Sequence, residues 1–124
     1  MNKKRPKNLD LLTIRFPIPS IVSILHRISG VILFLMIPLV LWALDASLSS
    51  QNSFQLLSDN LSTPFVKGFV WLMLAPFLYH FVAGIRHLLM DVGVGVELKT
   101  GRLTAIVTFV MAFLLIIVAG IYIW

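Results

Sequence analysis

Two groups of polar residues stand inside apolar runs, and both keep helical spacing. In "SILHRISG", Ser23, Arg27 and Gly30 follow at i, i+4 and i+7, with His26 beside them on the same broad face. In "HFVAGIRHLLMD", His80, Gly84, His87 and Asp91 follow at i, i+4, i+7 and i+11, and Arg86 falls off that stripe. Ionisable groups are expensive in such surroundings, so each is a functional candidate. A neutral imidazole there ligates a metal, relays protons, or bonds to a neighbouring helix. A hydroxyl one turn before a guanidinium gives converging donors, suited to a carbonyl oxygen that becomes anionic on reduction. The plain alternative for Arg27 is an interfacial arginine that snorkels to lipid headgroups.

The elements that carry these residues follow from composition. The chain has 124 residues, 59% of them hydrophobic and only 12% charged, half the charged share of a soluble domain. Three runs, about 21–44, 65–90 and 103–124, exceed the roughly 20 residues a bilayer core requires of a helix. The reading is an all-α integral membrane protein with three transmembrane helices in a single domain spanning 1–124. Residues 1–20 form a basic tail without the apolar core and cleavage site of a signal peptide. There is no cysteine, which removes disulfides, thiolate metal sites and cysteine nucleophiles.

The net charge of +5 belongs to the membrane, not to nucleic acid. Lys3, Lys4, Arg5, Lys7 and Arg15 precede the first span, and Arg86, Lys99 and Arg102 flank the second loop. The first loop, before Lys67, has no Lys or Arg. The positive-inside rule then sets the N-terminus and second loop in the cytosol and the first loop and C-terminus outside, which for a bacterial inner membrane is the periplasm. Trp42, Trp71 and Trp124 fall near the outer ends of their spans, where indoles favour the interface.

Finer expectations concern the ends and interior of each run. Ser20 stands where an N-cap for the first helix belongs. The first loop has room for a short surface helix, and "GVG" in the second reads as a turn, not a dinucleotide fingerprint. Pro38 and Pro76 are expected to kink their helices. In the third span Ala112, Ala119 and Gly120 are the residues expected against a neighbour.

Depth separates the two polar groups. His80 lies 11 residues before Asp91, roughly 16 Å along a helix and so about mid-bilayer. Of the three uses of an imidazole at that depth, metal or haem ligation carries most weight, and Gly84 would clear a helix face for a flat macrocycle. Ser23, His26 and Arg27 are shallower, where a quinone headgroup or haem propionates would meet them. His26 and His87 look too shallow to ligate the same iron as His80, so a second axial ligand is expected from another subunit.

The residues resemble a known family. "RPKNLDLLTIRFPIPSIVSILHRISG", Arg5 to Gly30, carries an Arg-Pro followed by Ser-x-x-His-Arg-x-Ser-Gly; "HFVAGIRHLLMDVG", His80 to Gly93, carries His-x-x-x-Gly-x-Arg-His with an aspartate four residues on. Both are similar to the signatures of the larger cytochrome b membrane-anchor subunit of bacterial succinate dehydrogenase. The resemblance implies one haem b shared with a second small anchor subunit, with His80 at the axial-ligand position. It implies ubiquinone at Ser23 and Arg27, and haem propionates near His26, Arg27 and, by depth, His87. It implies docking to an iron–sulfur subunit fed by a flavoprotein, so that this chain passes electrons to quinone without itself carrying the succinate-oxidising core. Two alternatives stand beside it: a fumarate reductase anchor, or a small proton-linked transporter without haem, in which His80 and Asp91 line a proton path.

Overall fold

A computed structural model describes residues 13–124. The expectations placed on Lys3, Lys4, Arg5, Lys7 and the Arg5-Pro6 pair lie outside the described residues. Within them the chain is helical throughout: α1 (Ile18–Ser49), α2 (Gln51–Leu61), α3 (Pro64–Asp91) and α4 (Leu98–Ile123). Three of these, α1, α3 and α4, are long and apolar enough to cross a membrane.

The helix starts differ from those expected. Pro17 caps α1 in extended geometry and Pro19 sits in the first turn, where a missing N–H costs nothing. Ser20 is therefore not the cap; it is already helical, and its N–H bonds the Pro17 carbonyl at 3.0 Å. Helix α4 begins at Leu98, five residues before the apolar run, so Lys99 and Arg102 ride on a helical turn. At 1.5 Å per residue, α1 with its 32 residues is roughly 48 Å long and overshoots a ~30 Å hydrocarbon core at its ends. Both α1 and α3 continue as helix through Pro38 and Pro76.

The loops are short and specific. The first contains α2, capped by Ser50, whose hydroxyl accepts from the Ser53 N–H at 3.1 Å. Ser53 in turn donates to the Ala46 carbonyl of α1 at 2.7 Å, folding α2 back on the first span. The second loop is a helix stop. Gly93, at φ +88°, sends its N–H to Met90, and Val94 sends its N–H to Leu89, the paired bonds of a Schellman cap. A side chain at Gly93 would be strained in that left-handed backbone.

The three spans pack through small residues. Val22, Ala83 and Ala105 are fully buried, with Ile18, Tyr79 and Phe109 against them. Helix α4 presents Gly101, Ala105, Thr108, Ala112 and Gly120 to its neighbours, so Ala112 and Gly120 face the bundle as expected and Ala119 is only half-buried. Large apolar side chains point outward, Phe34 at 70% and Tyr122 at 91% exposure. Small residues let the backbones approach, and the outer surface is left to lipid or further subunits.

Antiparallel pairing of α1 with α3 brings His80 beside Ser29 and His87 beside Ser23. Pairing of α3 with α4 brings Arg86 beside Thr104, and Trp71 beside Ile116. Those registers build the site.

Candidate functional site

The three histidines of the chain meet between α1 and α3. His26 stacks on His80 with ring centroids 4.1 Å apart and planes 12° from parallel. On its other side it meets His87 at 4.7 Å and 20°. The rings form a short column with His26 in the middle. His26 is thus in ring contact with His80 as well as with His87.

Hydrogen bonds distinguish the three rings. Ser29 donates its single hydroxyl proton to the His26 carbonyl at 2.8 Å. His80 Nδ1 lies 3.0 Å from that hydroxyl oxygen and 3.1 Å from the same carbonyl. The carbonyl can only accept and the hydroxyl proton is already used, so Nδ1 carries the proton. The Nε2 lone pair of His80 is left free. A metal-ligating histidine is commonly held this way, with its far nitrogen fixed by a carbonyl.

His87 has no such freedom. Its Nδ1 donates to the Ala83 carbonyl at 2.6 Å, so its Nε2 accepts from the Ser23 hydroxyl at 2.8 Å. His26 is the converse case, for neither ring nitrogen has a hydrogen-bond partner among the described residues. Only His80 combines an anchored nitrogen with an open one. Among the described residues no three His, Asp or Glu side chains converge to enclose a metal ion, whereas a haem iron takes one ligand from each side.

The glycines of both polar runs are contact points. A Cβ at Gly30 would come 3.1 Å from His80 Cε1, so the ring would have to give by a few tenths of an ångström to admit one. A Cβ at Gly84 would come 3.4 Å from His26 Nε2. The bare face at Gly84 thus meets the His26 ring.

Ser23 and Arg27 do not converge. Ser23 turns to His87, while Arg27 is exposed and has no hydrogen-bond or ion-pair partner among the described residues. The reason is helical geometry. At about 100° per residue, the buried side of α1 is centred on Val22, Ser29 and His26, Ser23 lies at its edge, and Arg27 is roughly 40° further out. The i, i+4 rule places Ser23 and Arg27 near each other without saying which one faces inward. Asp91, at the end of the second stripe, is likewise exposed.

Several residues that build the site were given no packing role from sequence alone. Arg86 is 5% exposed and joins α3 to α4 through Nε to Thr104 at 3.2 Å and a terminal nitrogen to the Gly101 carbonyl at 3.1 Å. Tyr79 donates across to the Val22 carbonyl at 2.9 Å and stacks on Phe109. Tyr79, Ala83 and Arg86 follow at i, i+4 and i+7, a second stripe parallel to the histidine one. Val22 and Ser29, seven residues apart, make the matching stripe on α1. That periodicity was the available signal; the charge of Arg86 near a helix end masked it.

Comparison with known proteins agrees with this architecture. A family model described as succinate dehydrogenase/fumarate reductase transmembrane subunit matches residues 1–119. The chain is 46% identical over 128 aligned positions to a succinate dehydrogenase cytochrome b556 subunit of Coxiella burnetii, covering all of both chains. It is 34% identical to the subunit of that name from Rickettsia prowazekii, over 90% of this chain and 87% of the relative. A cytochrome b560 subunit from Reclinomonas americana is 33% identical over 98% of this chain and 88% of its own length.

Proposed function

The chain belongs to the succinate dehydrogenase/fumarate reductase transmembrane subunit family, and on that premise we propose that it holds haem b through His80 and delivers electrons to a quinone. It is a multi-pass inner-membrane anchor of a succinate dehydrogenase complex, and membership of that family sets the transporter alternative aside. Association with the iron–sulfur and flavoprotein subunits goes with that assignment. The relatives are named cytochrome b subunits, which supports haem as the cofactor.

The observation that carries the reading is the asymmetry of His80. Its Nδ1–H is bonded to the His26 carbonyl and the Ser29 oxygen, and Nε2 is open. When bound, haem would supply one-electron transfer. His80 is the one imidazole that pairs an anchored nitrogen with an open one, which fits a haem held jointly with a second anchor subunit. Ser29 and the His26 carbonyl orient the ligand, and Gly30 gives the ring room. His26 covers the face of His80, and with Arg27 and His87 lies on the side assigned to the propionates.

The quinone falls to Ser23 and Arg27. Arg27 is the uncommitted donor at the open edge of the cluster, suited to the charge that develops on a quinone oxygen during reduction. Ser23 has one proton and gives it to His87. To donate to a quinone oxygen, Ser23 must turn from His87, or His87 must bring a proton to Nε2 and donate to Ser23. The basic ends of α1 and α4 lie in the cytosol in this reading, by the positive-inside rule. Relatives named for succinate dehydrogenase favour succinate oxidation over fumarate reduction as the direction.

The test is an absorption spectrum of the purified complex with and without His80→Ala. The reduced b-type band is expected to disappear or shift in the variant. A band that persists unchanged overturns the ligand assignment.

A further inference from the structure

Beyond the histidine column, the starts of α1 and α4 enclose a cleft of about 580 Å³ that carries three cations, Arg15, Lys99 and Arg102. All three are exposed, and none has an ion-pair partner among the described residues. The walls are apolar: Phe16 and Pro19 on one side and Leu98 on the other. Leu98 is 95% exposed, and Leu103, Ile106 and Val110 continue an exposed apolar surface along α4.

We propose that this cleft binds the phosphate of an anionic phospholipid, its acyl chains running down the exposed face of α4. The cations meet the phosphodiester charge, and they stand at the rim where two spans enter the bilayer. A free inorganic anion has no use for walls of Phe16, Pro19 and Leu98; a lipid has use for both halves. Basic pockets between membrane helices recognise headgroups by this combination, and each nearby cation is worth a factor of about five in affinity. The site is separate from the histidine column, so it stands or falls independently of the haem and quinone assignments.

The test uses the whole complex in nanodiscs of phosphatidylcholine doped with photoactivatable phosphatidylglycerol. Crosslinks are mapped by peptide mass spectrometry in wild type, in Arg15→Gln/Lys99→Gln/Arg102→Gln, and in the charge-preserving Arg15→Lys/Arg102→Lys. Labelling at residues 98–103 is expected in wild type and in the charge-preserving variant. It should fall at least tenfold in the neutral variant while the soluble subunits remain bound. Equal labelling of wild type and neutral variant overturns the proposal. So does displacement of the label by inorganic phosphate, which would make this a simple anion site. Absence of label in wild type, with loss of the soluble subunits from the neutral variant, overturns it in favour of a protein-docking surface.

Discussion

Ser29 and His80 meet across α1 and α3 at 3.0 Å, and that contact decides which nitrogen of His80 is free. The serine proton is committed to the His26 carbonyl, so the histidine proton must sit on Nδ1. Orientation and tautomer of the proposed ligand thus follow from one buried hydroxyl and the carbonyl it shares with the ring.

Removing that hydroxyl should loosen the cofactor. In Ser29→Ala, His80 keeps the His26 carbonyl but loses its second partner, and loss of such a supporting contact weakens metal binding about 10–100-fold. The rate of haem transfer from the complex to apomyoglobin is expected to rise by at least tenfold. An unchanged rate would mean that Ser29 does not support the ligand.

A methyl group at Gly30 should act on the same ring by contact. The ring is tied at Nδ1 and backed by His26, so it has little freedom to retreat from a Cβ at 3.1 Å. Gly30→Ala should shift the reduced band or reduce haem stoichiometry, and Gly30→Val should abolish haem incorporation. The pyridine haemochrome assay gives the stoichiometry; full occupancy in both variants would contradict this geometry.

Ser23 and Arg27 should respond differently. Arg27→Ala is expected to lower quinone reduction at least tenfold, while artificial dyes are still reduced at the soluble subunits. Arg27→Lys should recover part of the loss, since charge is kept and the planar fork is not. Ser23→Ala removes the partner of His87 Nε2 as well as the proposed quinone donor, so it should impair quinone reduction without Arg27's graded rescue. Wild-type quinone kinetics in Arg27→Ala would remove it from the quinone site.

Arg86 is expected to affect stability. Its guanidinium joins α3 to α4 through Thr104 and the Gly101 carbonyl. A hydrogen bond made by a charged group contributes about 1.5–3 kcal/mol, so Arg86→Met should lower the thermal midpoint of the detergent-solubilised complex by several degrees. A midpoint equal to wild type would show that the bond network is dispensable.

At the other end of the same helix pair, Trp71 donates Nε1–H to the Ile116 carbonyl at 2.8 Å. Its ring lies where a Cβ at Gly120 would come within 3.0 Å. Trp71→Phe should cost about 1 kcal/mol, the worth of one neutral hydrogen bond. Gly120→Val should cost more, because the indole must leave its seat. Thermal unfolding of the two variants ranks them, and the reverse order would refute the packing argument.

The sequence by itself determined the solvent, the number of spans and where a candidate site would lie. Long apolar runs specify membrane helices because hydrocarbon leaves the backbone no other partner, and "SILHRISG" and "HFVAGIRH" stand out because ionisable groups there are costly. It also marked the "GVG" stop, since a left-handed backbone favours glycine. Tertiary structure decided which side of each helix turns inward. Ser23 and Arg27 share a stripe, yet the boundary of the α1–α3 contact passes between them, leaving one half-buried against His87 and exposing the other. It also put His26 in contact with His80 and buried Arg86 against α4. Those outcomes depend on helix rotation and register, which are set by the joint packing of Val22, Ala83 and Ala105 and cannot be read from one helix alone.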